Sequence, residues 1–195
     1  ISSNGGLTAG RKDAENSLFP YYTDDKITES TDITGSKSIF WITRNGKKYR
    51  WEPFSIRNEE KHKYSRNLYK SIYGNKILFE EINHDLEITF RYRWNSSHEY
   101  GFVRESFLIN NSSEAVEVSL VDGIQNIVPY GVGSFLQNQL SNLTDAYKRN
   151  ELESKAGIGI YALSAIIVDK AEPSEALKAT IAWSLGIENP VDRKS

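Results

Sequence analysis

Asp85-Leu86-Glu87-Ile88-Thr89-Phe90-Arg91-Tyr92-Arg93-Trp94 is the stretch that decides the fold class of this chain. Leu86, Ile88, Phe90, Tyr92 and Trp94 fall on one side of an extended backbone. Asp85, Glu87, Thr89, Arg91 and Arg93 fall on the other. Successive side chains of a strand point to opposite faces, so this period of two predicts a half-buried β-strand. Ile, Phe, Tyr and Trp at the inward positions also suit a pleated surface.

The same signal repeats on both sides of it. Upstream, residues 38–43 and 47–54 flank Asn45-Gly46, a pair that tolerates the positive φ of a tight hairpin turn. Residues 67–73 and 76–82 flank Gly74-Asn75, read as a second two-residue turn. Downstream, 100–110 and 115–125 are joined by a polar turn at 111–114, and 151–155, 158–168 and 178–185 continue the series. In the last, Ala179, Ile181, Trp183 and Leu185 alternate with Lys178, Thr180, Ala182 and Ser184, so Trp183, like Trp94, is expected to pack inward. Turn signals recurring about every 8–12 residues between alternating strands predict a sandwich or barrel.

One helix interrupts, over 134–149. Leu136, Leu140, Leu143 and Tyr147 recur at helical spacing, and Ser134 with Gln137 fits a capping box. Residues 1–36 are an irregular arm carrying one aromatic knot, Leu18-Phe19-Pro20-Tyr21-Tyr22, expected to pack over the sandwich. No composition break divides the chain, so 1–195 reads as a single all-β domain. The absence of an initiator Met before Ile1 and the tail 191–195 after Pro190 lead us to expect a fragment of a longer chain.

Composition narrows the function. A net charge of −2 provides no basic footprint for nucleic acid. No apolar run approaches the ~20 residues of a membrane-spanning helix, so a soluble chain is expected, in cytoplasm or periplasm alike. With no cysteine, disulfides, thiolate nucleophiles and zinc–thiolate sites are excluded. His62, His84 and His98 show no metal-ligand spacing, and neither a metal nor another cofactor is expected. Glu80-Glu81 lie next to each other on a strand and so point to opposite faces, a poor dyad for glycoside hydrolysis. No nucleophile elbow or phosphate loop occurs, and no catalytic residue is assigned.

What remains is a polar–aromatic surface. Phe19, Tyr21 and Tyr22 beside Asp24 and Asp25 combine flat apolar rings with hydrogen-bond acceptors, as a sugar ring requires. Trp41 and Trp51 flank the first hairpin and are read as a cross-strand pair that extends the surface. The same aromatics also suit an anchor that packs the arm down by buried area.

Three stretches carry a family resemblance: Leu18-Phe19-Pro20-Tyr21-Tyr22; residues 104–118, with Asn110-Asn111-Ser112-Ser113-Glu114 between two strands; and Tyr161-Ala162-Leu163 leading to 169–177. Together they resemble the N-terminal domain of the cellobiose and chitobiose phosphorylase group and related multidomain glycoside hydrolases. The resemblance implies a galactose mutarotase-like β-supersandwich of two antiparallel sheets. It implies a non-catalytic domain that packs on an (α/α)6 barrel holding the catalytic carboxylates, helps form a homodimer and shapes the substrate entrance. Mutarotases themselves use two histidines and a carboxylate, a pattern His62, His84 and His98 do not reproduce. The alternatives are an independent carbohydrate-binding module and a sugar epimerase-like enzyme.

Overall fold

A computed structural model of the chain describes residues 1–10, 16–20, 24–58, 61–168 and 174–186. Ten strands and three short helices are present among them, and the fold class is all-β. The contacts group into two compact units. Unit 1 comprises Ile1–Leu7 and Ile27–Ile124; unit 2 comprises Thr8–Lys26 and Gln125–Ser195. The arm of residues 1–36 is thus shared between them.

Unit 1 is a sandwich of two sheets. One has the order β2-β1-β7, from β1 (Gly35–Arg44), β2 (Lys47–Trp51) and β7 (Glu117–Gln125). The other has the order β3-β4-β5-β6, from β3 (Tyr64–Lys70), β4 (Lys76–Asn83), β5 (Ile88–Ser97) and β6 (Gly101–Asn110), antiparallel throughout. The inward side chains of the quoted stretch, Leu86 to Trp94, are all buried. Phe40 of β1 meets Phe90 of the other sheet at 5.0 Å between ring centroids and its sheet neighbour Trp51 at 5.6 Å. Phe79 stacks on Tyr92 at 4.8 Å. Each ring so buried contributes about 1.5–3 kcal/mol of transfer free energy.

The Asn45-Gly46 turn forms as expected. Both residues have positive φ, 51° and 72°, and the strands pair directly up to Arg44 and Lys47. The second hairpin differs. Residues 71–75 form a longer loop, because of its residues only Gly74 takes positive φ, whereas a two-residue turn of this kind needs two. The quoted stretch also begins its ladder late. Residues 84–87 turn, Glu87 has φ 51°, and β5 starts at Ile88.

Unit 2 packs a three-stranded sheet of order β10-β9-β8 with two helices. The strands are β8 (Lys148–Glu153), β9 (Ile158–Leu163) and β10 (Ala179–Trp183). Helix α1 (Asp24–Glu29) precedes β1, and the expected single helix over 134–149 is two, α2 (Ser134–Gln139) and α3 (Ser141–Tyr147). Leu140 breaks it with φ −129° and ψ 35°. The Thr144 hydroxyl donates to the Leu136 carbonyl across the break, and Ser141-Asn142 are weak helix formers there. Gly133, not Ser134, is the N-cap, so the capping box does not form. Gln137 instead turns inward, its amide donating to Ser17 Oγ and the Val132 carbonyl. Lys148 and Arg149 leave the helix because they pair with Leu163 and Ala162 in the sheet. The core here is Val128, Val132 and Leu163, with Leu136, Tyr147, Ile167 and Ala176 against it.

Candidate functional site

Of the residues singled out as a sugar surface, the described side chains are Phe19, Trp41 and Trp51. Phe19 is fully buried in unit 2, where its segment is stitched down: Leu18 N–H donates to the Ala9 carbonyl and Val128 N–H to the Leu18 carbonyl. Trp51 is equally buried in unit 1, so neither ring offers a face to a ligand. The register places Trp41 opposite Arg50 and Trp51 opposite Phe40. The two tryptophans therefore lie on opposite faces of their sheet and do not stack, which corrects the reading of them as a cross-strand pair. Trp41 is half-buried on the outer face. Tyr21 and Tyr22 lie outside the described residues, as do the side chains of Asp24 and Asp25, whose backbone opens α1.

Glu80 and Glu81 occupy opposite faces of β4, as alternation requires. Glu81 faces the core, where Trp51 Nε1 (2.9 Å), Phe54 N–H (2.7 Å) and Arg66 Nε (2.7 Å) all donate to it. A buried carboxylate is tolerated only when so satisfied. Phe54 is held at φ 63°, a strained conformation for a bulky residue.

A second buried network lines a crevice of about 10 Å³, the room of one water molecule. Gly5, Asp32, Lys37, Phe54 and Tyr92 are among its walls. Lys37 bridges Asp32 and Glu52. Arg104 holds Asp122 through two nitrogens, at 2.9 and 2.8 Å, and also bonds Ser36 and Ser38. Burial alone would raise the Asp122 carboxyl, but the Arg104 hydrogen bonds and charge prevail and hold it below the usual range. Asp32 is lowered in the same way against burial, by Lys37 and Ser55. Burial pushes the Tyr92 phenol well above its ordinary range, and its O–H donates to the Gly5 carbonyl. A Cβ on Gly5 would stand 2.8 Å from that phenol oxygen, so only glycine fits. These groups are sealed rather than presented.

Two of the surfaces presented by the described residues carry organised side chains. The first is the outer face of β3-β4-β5-β6. Its register aligns Asn67, Glu80, Arg91 and Phe107 in one row and Tyr69, Leu78, Arg93 and Glu105 in the next. Glu80, 3% exposed, accepts from Asn67 Nδ2 (2.8 Å), Tyr69 Oη (3.2 Å) and Arg91. Burial would raise this carboxyl; those donors outweigh it and lower it. Arg93 pairs with Glu105, and its guanidinium sits 5.7 Å from the Phe107 ring centroid. Sequence reading placed Arg91 and Arg93 on the polar side of their strand. It missed their partners because those depend on inter-strand register.

The second surface belongs to unit 2. Pairing sets Ile181 opposite Ile160 and Trp183 opposite Ile158, all on one face. The opposite face carries Leu163 into the core. Ile181 is 54% exposed and Trp183 44%. The expected inward Trp183 is therefore corrected, whereas Trp94 is buried as expected. The row beside Ile158 and Ile160 is charged: Arg149, Glu151 and Glu153.

The three histidines do not form one cluster. His62 Nδ1 lies 4.0 Å from Asp85 Oδ2, and His84 Nε2 is hydrogen-bonded to Ser65 Oγ at 2.8 Å. His98 lies past the far end of β5, about 30 Å away at ~3.3 Å per strand residue. Among the described residues no three His, Cys, Asp or Glu side chains form a metal-ligating group, and no helix is long and apolar enough to cross a membrane. No protein-family model matches this chain, and no curated protein matches it.

Proposed function

We propose that this chain is a non-catalytic β domain of a larger carbohydrate-active enzyme, a glycoside phosphorylase or hydrolase, and that it docks on a catalytic barrel through the outer face of β9 and β10. The observation that carries the reading is the apolar strip of Ile158, Ile160, Ile181 and Trp183, half-exposed on a sheet whose other face is already used for the core. An apolar strip of this kind bordered by charge has the anatomy of a protein interface, with Trp as the residue type that most often anchors one. Arg149, Glu151 and Glu153 supply the charged border. The carbohydrate part of the proposal rests on the resemblance carried by residues 104–118 and 161–177. The epimerase reading has no comparable support: no histidine is among the walls of the crevice, and His84 is engaged with Ser65.

Hydrogen–deuterium exchange tests the docking. The β9 and β10 amides are expected to exchange more slowly in the enzyme that carries this domain than in the chain alone. Ile181→Asp should abolish the difference. Equal exchange in both settings would overturn the proposal.

A further inference from the structure

We infer that the outer face of β3-β4-β5-β6 is a binding platform for a neutral, polyhydroxylated ligand, an oligosaccharide segment lying across the strands between Tyr69 and Phe107. Tyr69 is 50% exposed on edge strand β3 and Phe107 is 44% exposed on edge strand β6. Three inter-strand spacings separate them, about 14 Å. Between the rings stand two charge pairs, Glu80–Arg91 and Arg93–Glu105.

The charge balance selects the ligand class. Two carboxylates face two guanidinium groups, so these pairs carry no net charge. An anionic ligand reaching Arg91 or Arg93 would lie beside the Glu80 and Glu105 carboxylates paired with them, and that like charge opposes it. A wholly apolar partner would bury both pairs without giving them anything to bond. Hydroxyl groups donate to carboxylates and accept from guanidinium groups without displacing either from its partner. The exposed ring faces suit the apolar faces of sugar rings. Orientation is set in advance: Asn67 and Tyr69 hold Glu80, Asn95 Nδ2 donates to Glu105 at 3.0 Å, and Arg93 braces the Phe107 ring. Groups already fixed lose little freedom on binding.

The platform lies in unit 1 and the docking strip in unit 2, so each proposal can fail alone. The test is an NMR titration of the labelled chain with cellotetraose, chitotetraose and maltotetraose, with a heparin tetrasaccharide as the anionic comparison. At least one neutral tetrasaccharide is expected to shift amides at 67–69, 78–80, 91–93 and 105–107. Tyr69→Ala and Phe107→Ala should each weaken that binding about ten-fold or more. Both side chains are half-exposed, so cooperative unfolding of the variants should be retained and will be checked by circular dichroism. The inference is overturned by no shift with any neutral tetrasaccharide, by shifts elsewhere that both variants retain, or by preference for heparin.

Discussion

β5 and β10 read alike and end differently. Both alternate an apolar and a polar series. In unit 1 the apolar series of β5 is sealed: Phe90 and Tyr92 are each 2% exposed, against rings from β1 and β4. In unit 2 the corresponding series of β10 stays open at Ile181 and Trp183, because the core of that unit gathers on the Leu163 side. Alternation states which residues share a face. Whether the face is covered depends on what the rest of the chain brings to it.

The sharpest way to break this comparison is Phe90→Ala. Emptying that position should cost unit 1 about 3–5 kcal/mol in urea unfolding; a loss near zero would mean that the β5 face is not a packed core. Glu81→Ala should be nearly as severe, about 3 kcal/mol, since it takes the carboxylate from the part-buried Arg66 and strips the buried Trp51 indole and Phe54 amide of their acceptor. Glu81→Gln, which keeps an acceptor oxygen, should recover part of that loss in the same assay.

Acid acts on unit 1 through Asp32, Glu80 and Asp122, all held below their ordinary values of 3.8, 4.5 and 3.8. A carboxyl lowered by folding stabilises the fold above its unfolded pKa and loses that contribution as pH falls through the folded one. The unfolding midpoint should therefore drop as pH falls through about 4 and below. Asp122→Asn should flatten that fall and lower the midpoint at neutral pH; an unchanged slope would refute the assignment. Gly46→Ala should cost about 1 kcal/mol from its φ of 72° alone, since open space surrounds the position. Trp183→Ala should cost far less than Phe90→Ala, about 1 kcal/mol in the chain alone, because nearly half of the side chain is already in water. A larger loss would show that β10 is covered after all, and would erase the contrast with β5.

The ionic surfaces show where sequence reading stops. Glu80 and Glu81 were separable in advance, because adjacency on a strand sends them to opposite faces. Their partners were not, since Arg91, Asn67 and Arg66 reach them across registers that no local pattern specifies. The same limit explains Trp41 and Trp51, which are near in sequence and divided by the sheet. The helix over 134–149 carried a leucine period, yet its break at Leu140 and the inward turn of Gln137 toward Ser17 follow from packing within unit 2.

By itself the sequence determined the strands, the Asn45-Gly46 hairpin, the all-β class and the two sides of 85–94. Each follows from backbone geometry and from chemistry within a few residues of the position concerned. Only the tertiary structure decided which faces are buried, that Phe19 and Trp51 are closed to solvent, and that Tyr69 and Phe107 flank two opposed charge pairs on one sheet face. Burial and cross-strand pairing are set by residues distant in the chain, and a periodicity of two cannot say what will lie against it.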